Sequence, residues 1–173
     1  MNPIRNILYF KKKRISNGAR ITITSLQNKI PINPARVKKA VLGVVSGGHK
    51  EKNRLINICF VTDRRIKNLN AKYLKHNYAT DVIAFNLSEN SGLFPVADIV
   101  VSVDTAIRNS RVFNTTPVYE LMFYVVHGVL HILGFNDKTS RQRESMNKRA
   151  AVILNKLNIK PHKICPSIKQ KQL

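Results

Sequence analysis

The segment from Pro117 to Leu133 constrains the fold more than any other part of the chain. It contains no Lys or Arg, although the whole chain has 30 of these residues among 173. A surface helix normally has an apolar stripe on a polar body. This segment has the reverse pattern, because its helical positions are apolar apart from one narrow stripe, formed by Glu120, Tyr124, His127 and His131. The pattern predicts a buried central helix against which the other elements pack.

The two histidines of the stripe indicate a metal site. His127 and His131 are four residues apart, so their side chains share one helical face and can bind one ion. Gly134 is typical of a helix end, and Asp137 can then present a carboxylate to the same ion. We predict that these three residues bind one divalent ion, with zinc the first choice by ligand type, and that the catalytic group is the metal-bound water that they hold. The alternatives are core histidines satisfied by hydrogen bonds and an aspartate that caps a helix near Thr139.

Gly128 separates this pattern from the familiar peptidase motif. In that motif a glutamate directly follows the first histidine and acts as the general base. Glycine cannot do so, which disfavours peptide hydrolysis. We expect instead that Gly128 clears space beside the metal for a bulky substrate.

The charge of the chain indicates a polyanionic partner. Lys and Arg number 30 against 9 acidic residues, and the first acid is Glu51. Such a field attracts nucleic acid, so we expect contact with nucleic acid or a ribosome. General lysine enrichment or a merely soluble surface is the alternative. No apolar run reaches the roughly 18 residues of a membrane span, and two distant cysteines are typical of a reducing compartment. We expect a cytoplasmic protein without membrane association.

The periodicity predicts a single small α+β domain. Strands are expected at residues 7–10, 20–26, 55–62, 80–88 and 96–103, and helices at 32–45, 64–76, 104–112, 117–133 and 140–157. Without strict alternation of strand and helix, one mixed sheet with helices mainly on one side is expected, with the metal site on the buried central helix. We divide the chain into a basic N-terminal part (1–50), a metal-hydrolase core (51–157) and a basic tail (158–173).

Three sequence blocks resemble a known family. They are "HGVLHILGFND" (127–137), "LNAKYLKHNYATDVIAF" (69–85) and "ADIVVS" (97–102). From Leu55 to Met146 the chain is similar to the bacterial YbeY-type metal-dependent endoribonucleases of ribosomal RNA maturation. The resemblance implies hydrolysis of single-stranded RNA in 16S-type small-subunit ribosomal RNA maturation and in ribosome quality control.

The chain departs from the family pattern at two positions. Asp137 stands where the family usually has its third histidine ligand, and aspartate remains acceptable to zinc. Leu74 stands where the family has an arginine thought to contact RNA, and Lys75 or His76 could supply a phosphate contact instead. Two other functions stay open: a metal hydrolase of peptide or other carbonyl substrates, and a non-catalytic ribosome-assembly factor with a structural metal.

Overall fold

A computed structural model describes residues 19–46, 54–87 and 96–161. The strand predicted at residues 7–10 and most of the predicted tail lie outside the described residues. Four strands and five helices follow one another along the described chain. They are β1 (Arg20–Ser25), α1 (Pro34–Val45), β2 (Leu55–Val61), α2 (Asp63–Leu69), β3 (Val82–Asn86), β4 (Val96–Ser102), α3 (Val103–Val112), α4 (Pro117–Ile132) and α5 (Ser140–Lys156).

The four strands form one mixed sheet in the order β1-β2-β4-β3. Strands β1, β2 and β4 run parallel to one another, and β3 pairs with β4 in the antiparallel direction. The prediction of a small mixed sheet in an α+β domain is therefore confirmed.

The two faces of the sheet bury different sets of side chains. Ile56, Ile58 and Phe60 of β2 are fully buried on the face that carries α4, and the same cluster includes residues of α1 and α5. The opposite face has a smaller cluster around Ile66 of α2. Period-two alternation along the strands produces this division. Helices pack mainly on the first face, as the sequence predicts.

Helix α4 lies at the centre of the larger cluster. Its contacts extend to β3, β4, α1, α3 and α5. Thr116 caps its first turn through a hydrogen bond from the amide of Tyr119, and Pro117 occupies a first-turn position where no amide donor is needed. The predicted buried central helix is confirmed. No helix in the described ranges combines the length and the apolar character needed to cross a bilayer.

One predicted helix has a different form in the structure. The segment expected as a helix over residues 64–76 begins at Asp63, and it changes at Asn70–Leu74 to a π-helical turn. Lys75 then ends the turn in the left-handed conformation, with a φ of 63°. Thr62 is the capping position of this helix, and Asp63 is its first helical residue.

Candidate metal centre

The structure brings the three predicted ligand residues together. His127 and His131 project from the last two turns of α4, and their ring centroids are 4.8 Å apart. Asp137 follows in the loop after the helix, with its Oδ2 at 3.6 Å from the Nε2 of His127 and 3.7 Å from the Nε2 of His131. One ligand atom from each residue lies within 4.8 Å of the other two. The cluster can therefore hold one ion.

The separations fit ligands that share an ion better than partners in a hydrogen bond. Two ligands at the usual zinc distance of about 2.0–2.1 Å are about 3.4 Å apart at a tetrahedral angle. The two nitrogen–oxygen distances, 3.6 and 3.7 Å, are only a few tenths of an ångström longer. They exceed the range of a good N–H···O hydrogen bond. The donor set of two imidazoles and a carboxylate is also typical of zinc.

His131 is oriented by the end of its own helix. Gly134 adopts a φ of 90°, which favours glycine, and the amides of Gly134 and Phe135 donate to the carbonyls of His131 and Leu130. This is the Schellman motif. It places the carbonyl oxygen of Phe135 at 3.1 Å from the Nδ1 of His131. Because a carbonyl can only accept, Nδ1 carries a hydrogen, and the other ring nitrogen, Nε2, faces Asp137.

His127 is the more buried ligand. It is 9% exposed, and the ring of Phe123 stacks on it with centroids 6.0 Å apart. Burial lowers the pKa of His127, and the neighbouring His131 lowers it further, while the carboxylates of Asp81 and Asp137 oppose the shift. The neutral imidazole that binds a metal is thereby favoured. Among the described residues, its buried Nδ1 has no hydrogen-bond partner.

The lowered pKa of His127 predicts a pH dependence for the metal-free protein. The folded state binds fewer protons than the unfolded state between the lowered pKa and the ordinary value of about 6.5. The contribution of His127 to stability is thus fully present above about pH 6.5 and is lost as the pH falls through the folded pKa. We expect urea unfolding in chelator to show this loss as the pH falls below about 6.5. A His127→Gln variant should have a flatter profile, and an equally steep one would contradict the prediction.

Gly128 has a different role from the one expected. A Cβ atom at this position would lie 2.8 Å from Cγ2 of Ile99 and 3.0 Å from Cγ2 of Val82, both on the sheet. The position therefore faces β3 and β4, and the expectation that it clears space beside the metal is wrong. Glycine is present because α4 approaches the sheet too closely for a side chain.

The two predicted substrate-binding residues lie on the segment that joins the π-helical turn to β3. Lys75 and His76 are both exposed, as is Leu74, at 45%. The described cluster of possible metal ligands comprises His127, His131 and Asp137, without His76. Contact of Lys75 and His76 with substrate stays a prediction.

Asp81 is a residue of the site that sequence reasoning missed. It directly precedes β3, and its Oδ1 accepts hydrogen bonds from the hydroxyl of Thr80 and the amide of Val82, each 2.9 Å long. Its charge acts on His127, where it raises the pKa against the effect of burial. The available signal was its place in the "TDVIAF" block, at a strand start, where short polar side chains often satisfy backbone amides.

Comparison with known proteins decides the family. The sequence pattern of the family described as Endoribonuclease YbeY matches residues 22–158. The chain belongs to the YbeY family. The match begins in β1 and ends after α5, so it extends beyond the residues 55–146 that carry the resemblance in sequence motifs.

Individual YbeY relatives cover most of the chain. Endoribonuclease YbeY of Syntrophus aciditrophicus is 39% identical over 132 residues, which cover 72% of this chain and 80% of the relative. Endoribonuclease YbeY of Parabacteroides distasonis is 37% identical over 127 residues, which cover 70% of this chain and 88% of the relative. Membership of the YbeY family supports a nuclease, a hydrolase of RNA, as the class of activity.

A solved structure shares the fold. The solution structure of a Thermotoga maritima protein superposes with a TM-score of 0.56 and 24% identity, over 86% of this chain and 99% of the other. This likeness supports the architecture described above and carries no argument about activity.

Proposed function

We propose that this protein is a metal-dependent endoribonuclease that cuts single-stranded RNA in small-subunit (16S-type) ribosomal RNA maturation and in ribosome quality control. The observation that carries the proposal is the cluster of His127, His131 and Asp137, whose ligand atoms lie within 4.8 Å of one another, in a chain of the YbeY family. A cytoplasmic location and contact with the small ribosomal subunit are part of the same proposal.

Each site residue has a defined role in this proposal. The Nε2 atoms of His127 and His131 and the Oδ2 of Asp137 would hold the ion, for which zinc is the first choice by ligand type. The chemistry that such an ion supplies is polarisation of the scissile phosphate and a lower pKa for bound water. Phe135 fixes the ring of His131 through its carbonyl. The buried environment of His127 lowers its pKa and so favours the unprotonated imidazole.

Cationic side chains next to the cluster support an RNA substrate. Lys138 directly follows Asp137, and Arg141 and Arg143 are exposed on the first turn of α5. The guanidinium of Arg149 lies 4.5 Å from the centroid of the Phe135 ring. Phe135 belongs to the loop that connects His131 to Asp137. Positive groups of this kind attract backbone phosphates without regard to sequence.

The position of Gly128 makes peptide hydrolysis the weaker alternative. A side chain at residue 128 would meet Ile99 and Val82 of the sheet, so the peptidase glutamate has no equivalent there. A non-catalytic assembly factor with a structural metal is distinguished by experiment, since it would retain the metal and cleave no RNA.

Two substitutions of Asp137 test the function. Asp137→Ala removes a ligand and should lower cleavage of a single-stranded ribosomal precursor RNA by more than about a hundredfold, because even indirect partners of a metal ligand contribute about 10–100-fold. Asp137→His supplies the ligand usual in the family and should stay within about tenfold of the natural chain. Cleavage should stop in chelator and return with added zinc. An Asp137→Ala variant that cuts at the natural rate would overturn the proposed site.

A further inference from the structure

Two aromatic rings are exposed together between the π-helical turn and β3. The rings of His76 and Tyr78 are stacked, with centroids 5.4 Å apart and an angle of 14° between their planes. Tyr78 is 57% exposed and His76 is also exposed. We call this pair the His76–Tyr78 platform. Single exposed aromatic residues are ordinary, whereas a stacked exposed pair offers an outer ring face on which a base can extend the stack.

One buried residue holds the backbone beneath both rings. Asn70 is 2% exposed in the π-helical turn. Its side-chain amide donates to the backbone carbonyl of Tyr78 over 2.9 Å. The backbone carbonyl of Asn70 accepts from the backbone amide of His76 over 3.3 Å. A single asparagine thus fixes the chain at residues 76 and 78. The platform is therefore ordered before any ligand arrives, which lowers the entropic cost of binding.

The surroundings of the platform are basic. Residues 64–80 contain five Lys or Arg and no acid. Lys72 and Lys75 are exposed on the same segment, and Lys75 ends the π-helical turn in the left-handed conformation. A polyanion that approaches the rings thus meets cations beside them. The combination of stacking rings and a basic track is typical of proteins that bind single-stranded nucleic acid.

The platform and the candidate metal centre both lie near the start of β3. Tyr78 is three residues from Asp81, so their Cα atoms are at most about 11 Å apart. Asp81 directly precedes Val82, whose Cγ2 would lie 3.0 Å from a Cβ atom on Gly128, the residue after His127. The platform and the metal centre therefore occupy neighbouring parts of the fold.

We propose that the His76–Tyr78 platform stacks on an unpaired base of single-stranded RNA, while Lys72 and Lys75 contact the neighbouring phosphates. The inference rests on the proposed function for the identity of its ligand. It goes beyond that function in assigning a base-binding subsite and a preference for unpaired RNA to named side chains.

Binding of a short single-stranded RNA to the full chain, followed by fluorescence anisotropy in chelator, tests the platform. Tyr78→Ala should raise Kd about five- to hundredfold, which is the range for loss of one stacked base. Tyr78→Phe and Tyr78→Trp keep a flat ring and should stay within about threefold of the natural chain. Phe113→Ala, which removes a ring that is 62% exposed on a different element, is the matched control and should leave Kd unchanged.

An RNA of the same length with abasic positions identifies the contact. Tyr78→Ala should then have no effect, because there is no base to stack on. The inference is overturned if Tyr78→Ala binds the normal RNA as tightly as Phe113→Ala does, which would favour a protein ligand for the platform. It is also overturned if Tyr78→Ala weakens the abasic RNA equally. Binding is measured in chelator and cleavage with added zinc, so a natural chain that binds RNA and cuts none leaves the platform standing. Failure of the platform and failure of the nuclease thus give different results.

Discussion

Replacing His131 with alanine is expected to lower cleavage of single-stranded ribosomal precursor RNA by more than about a hundredfold. The Nε2 of His131 lies 3.7 Å from Oδ2 of Asp137. Because the other ring nitrogen, Nδ1, donates to the carbonyl of Phe135, Nε2 is the nitrogen whose lone pair can bind a metal. Alanine removes that ligand without replacing it. Loss of a residue that merely orients a metal ligand already costs about 10–100-fold in affinity or activity, so loss of the ligand itself should cost more.

The control for this variant is its stability in chelator. His131 is one-third exposed in its side chain, so the metal-free variant should unfold at nearly the same urea concentration as the metal-free natural chain. Cleavage at the natural rate by a folded His131→Ala chain would contradict the proposed site. Absence of cleavage by the natural chain, with metal still bound, would favour the assembly factor.

Gly128→Glu is expected to destabilise the fold by more than about 3 kcal/mol, and to create no peptidase. This substitution gives α4 the histidine–glutamate sequence of the peptidase motif. Its Cβ atom would nevertheless lie 2.8 Å from Cγ2 of the fully buried Ile99. Overpacking of this kind costs about 1–3 kcal/mol, and a carboxylate buried in an apolar cluster adds several kcal/mol more.

Two further glycine substitutions separate the causes of that loss. Gly128→Ala carries the overpacking without the charge, partly offset by up to about 1 kcal/mol of helix propensity, and should cost up to about 2 kcal/mol in urea unfolding. Gly43→Ala is the matched control in α1, because its Cβ would meet Cδ1 of Leu157 at an ordinary 3.4 Å. It should stabilise the fold by up to about 1 kcal/mol through helix propensity. A Gly128→Glu chain as stable as the natural one would show that residue 128 does not face the sheet.

Local sequence patterns were sufficient to predict most of the elements and the ligand cluster. The apolar character of residues 117–133 predicted the buried helix, and the spacing of His127 and His131 predicted their shared face. Gly134 predicted the helix end, because its positive φ is a local requirement. Each of these features depends on neighbours within one or two turns, which periodicity can detect.

The features that sequence could not predict depend on distant contacts. The role of Gly128 follows from Ile99 and Val82, which are far away in sequence. The π-helical turn contains Asn70, whose side chain donates to the carbonyl of Tyr78 eight residues later, a contact that no helical periodicity encodes. The effect of Asp81 on His127 requires that the start of β3 be near the last turns of α4. The division of the chain into parts 1–50, 51–157 and 158–173 stays a prediction.

The most direct test of the central claim is the metal content of the purified chain, measured by elemental analysis beside RNA cleavage by the same sample. We expect about one divalent ion, zinc by ligand type, in each natural chain that cuts RNA. The His127→Ala, His131→Ala double variant should contain almost none and should not cut. Unchanged metal content in a folded double variant would contradict the assignment of His127, His131 and Asp137 as the metal centre.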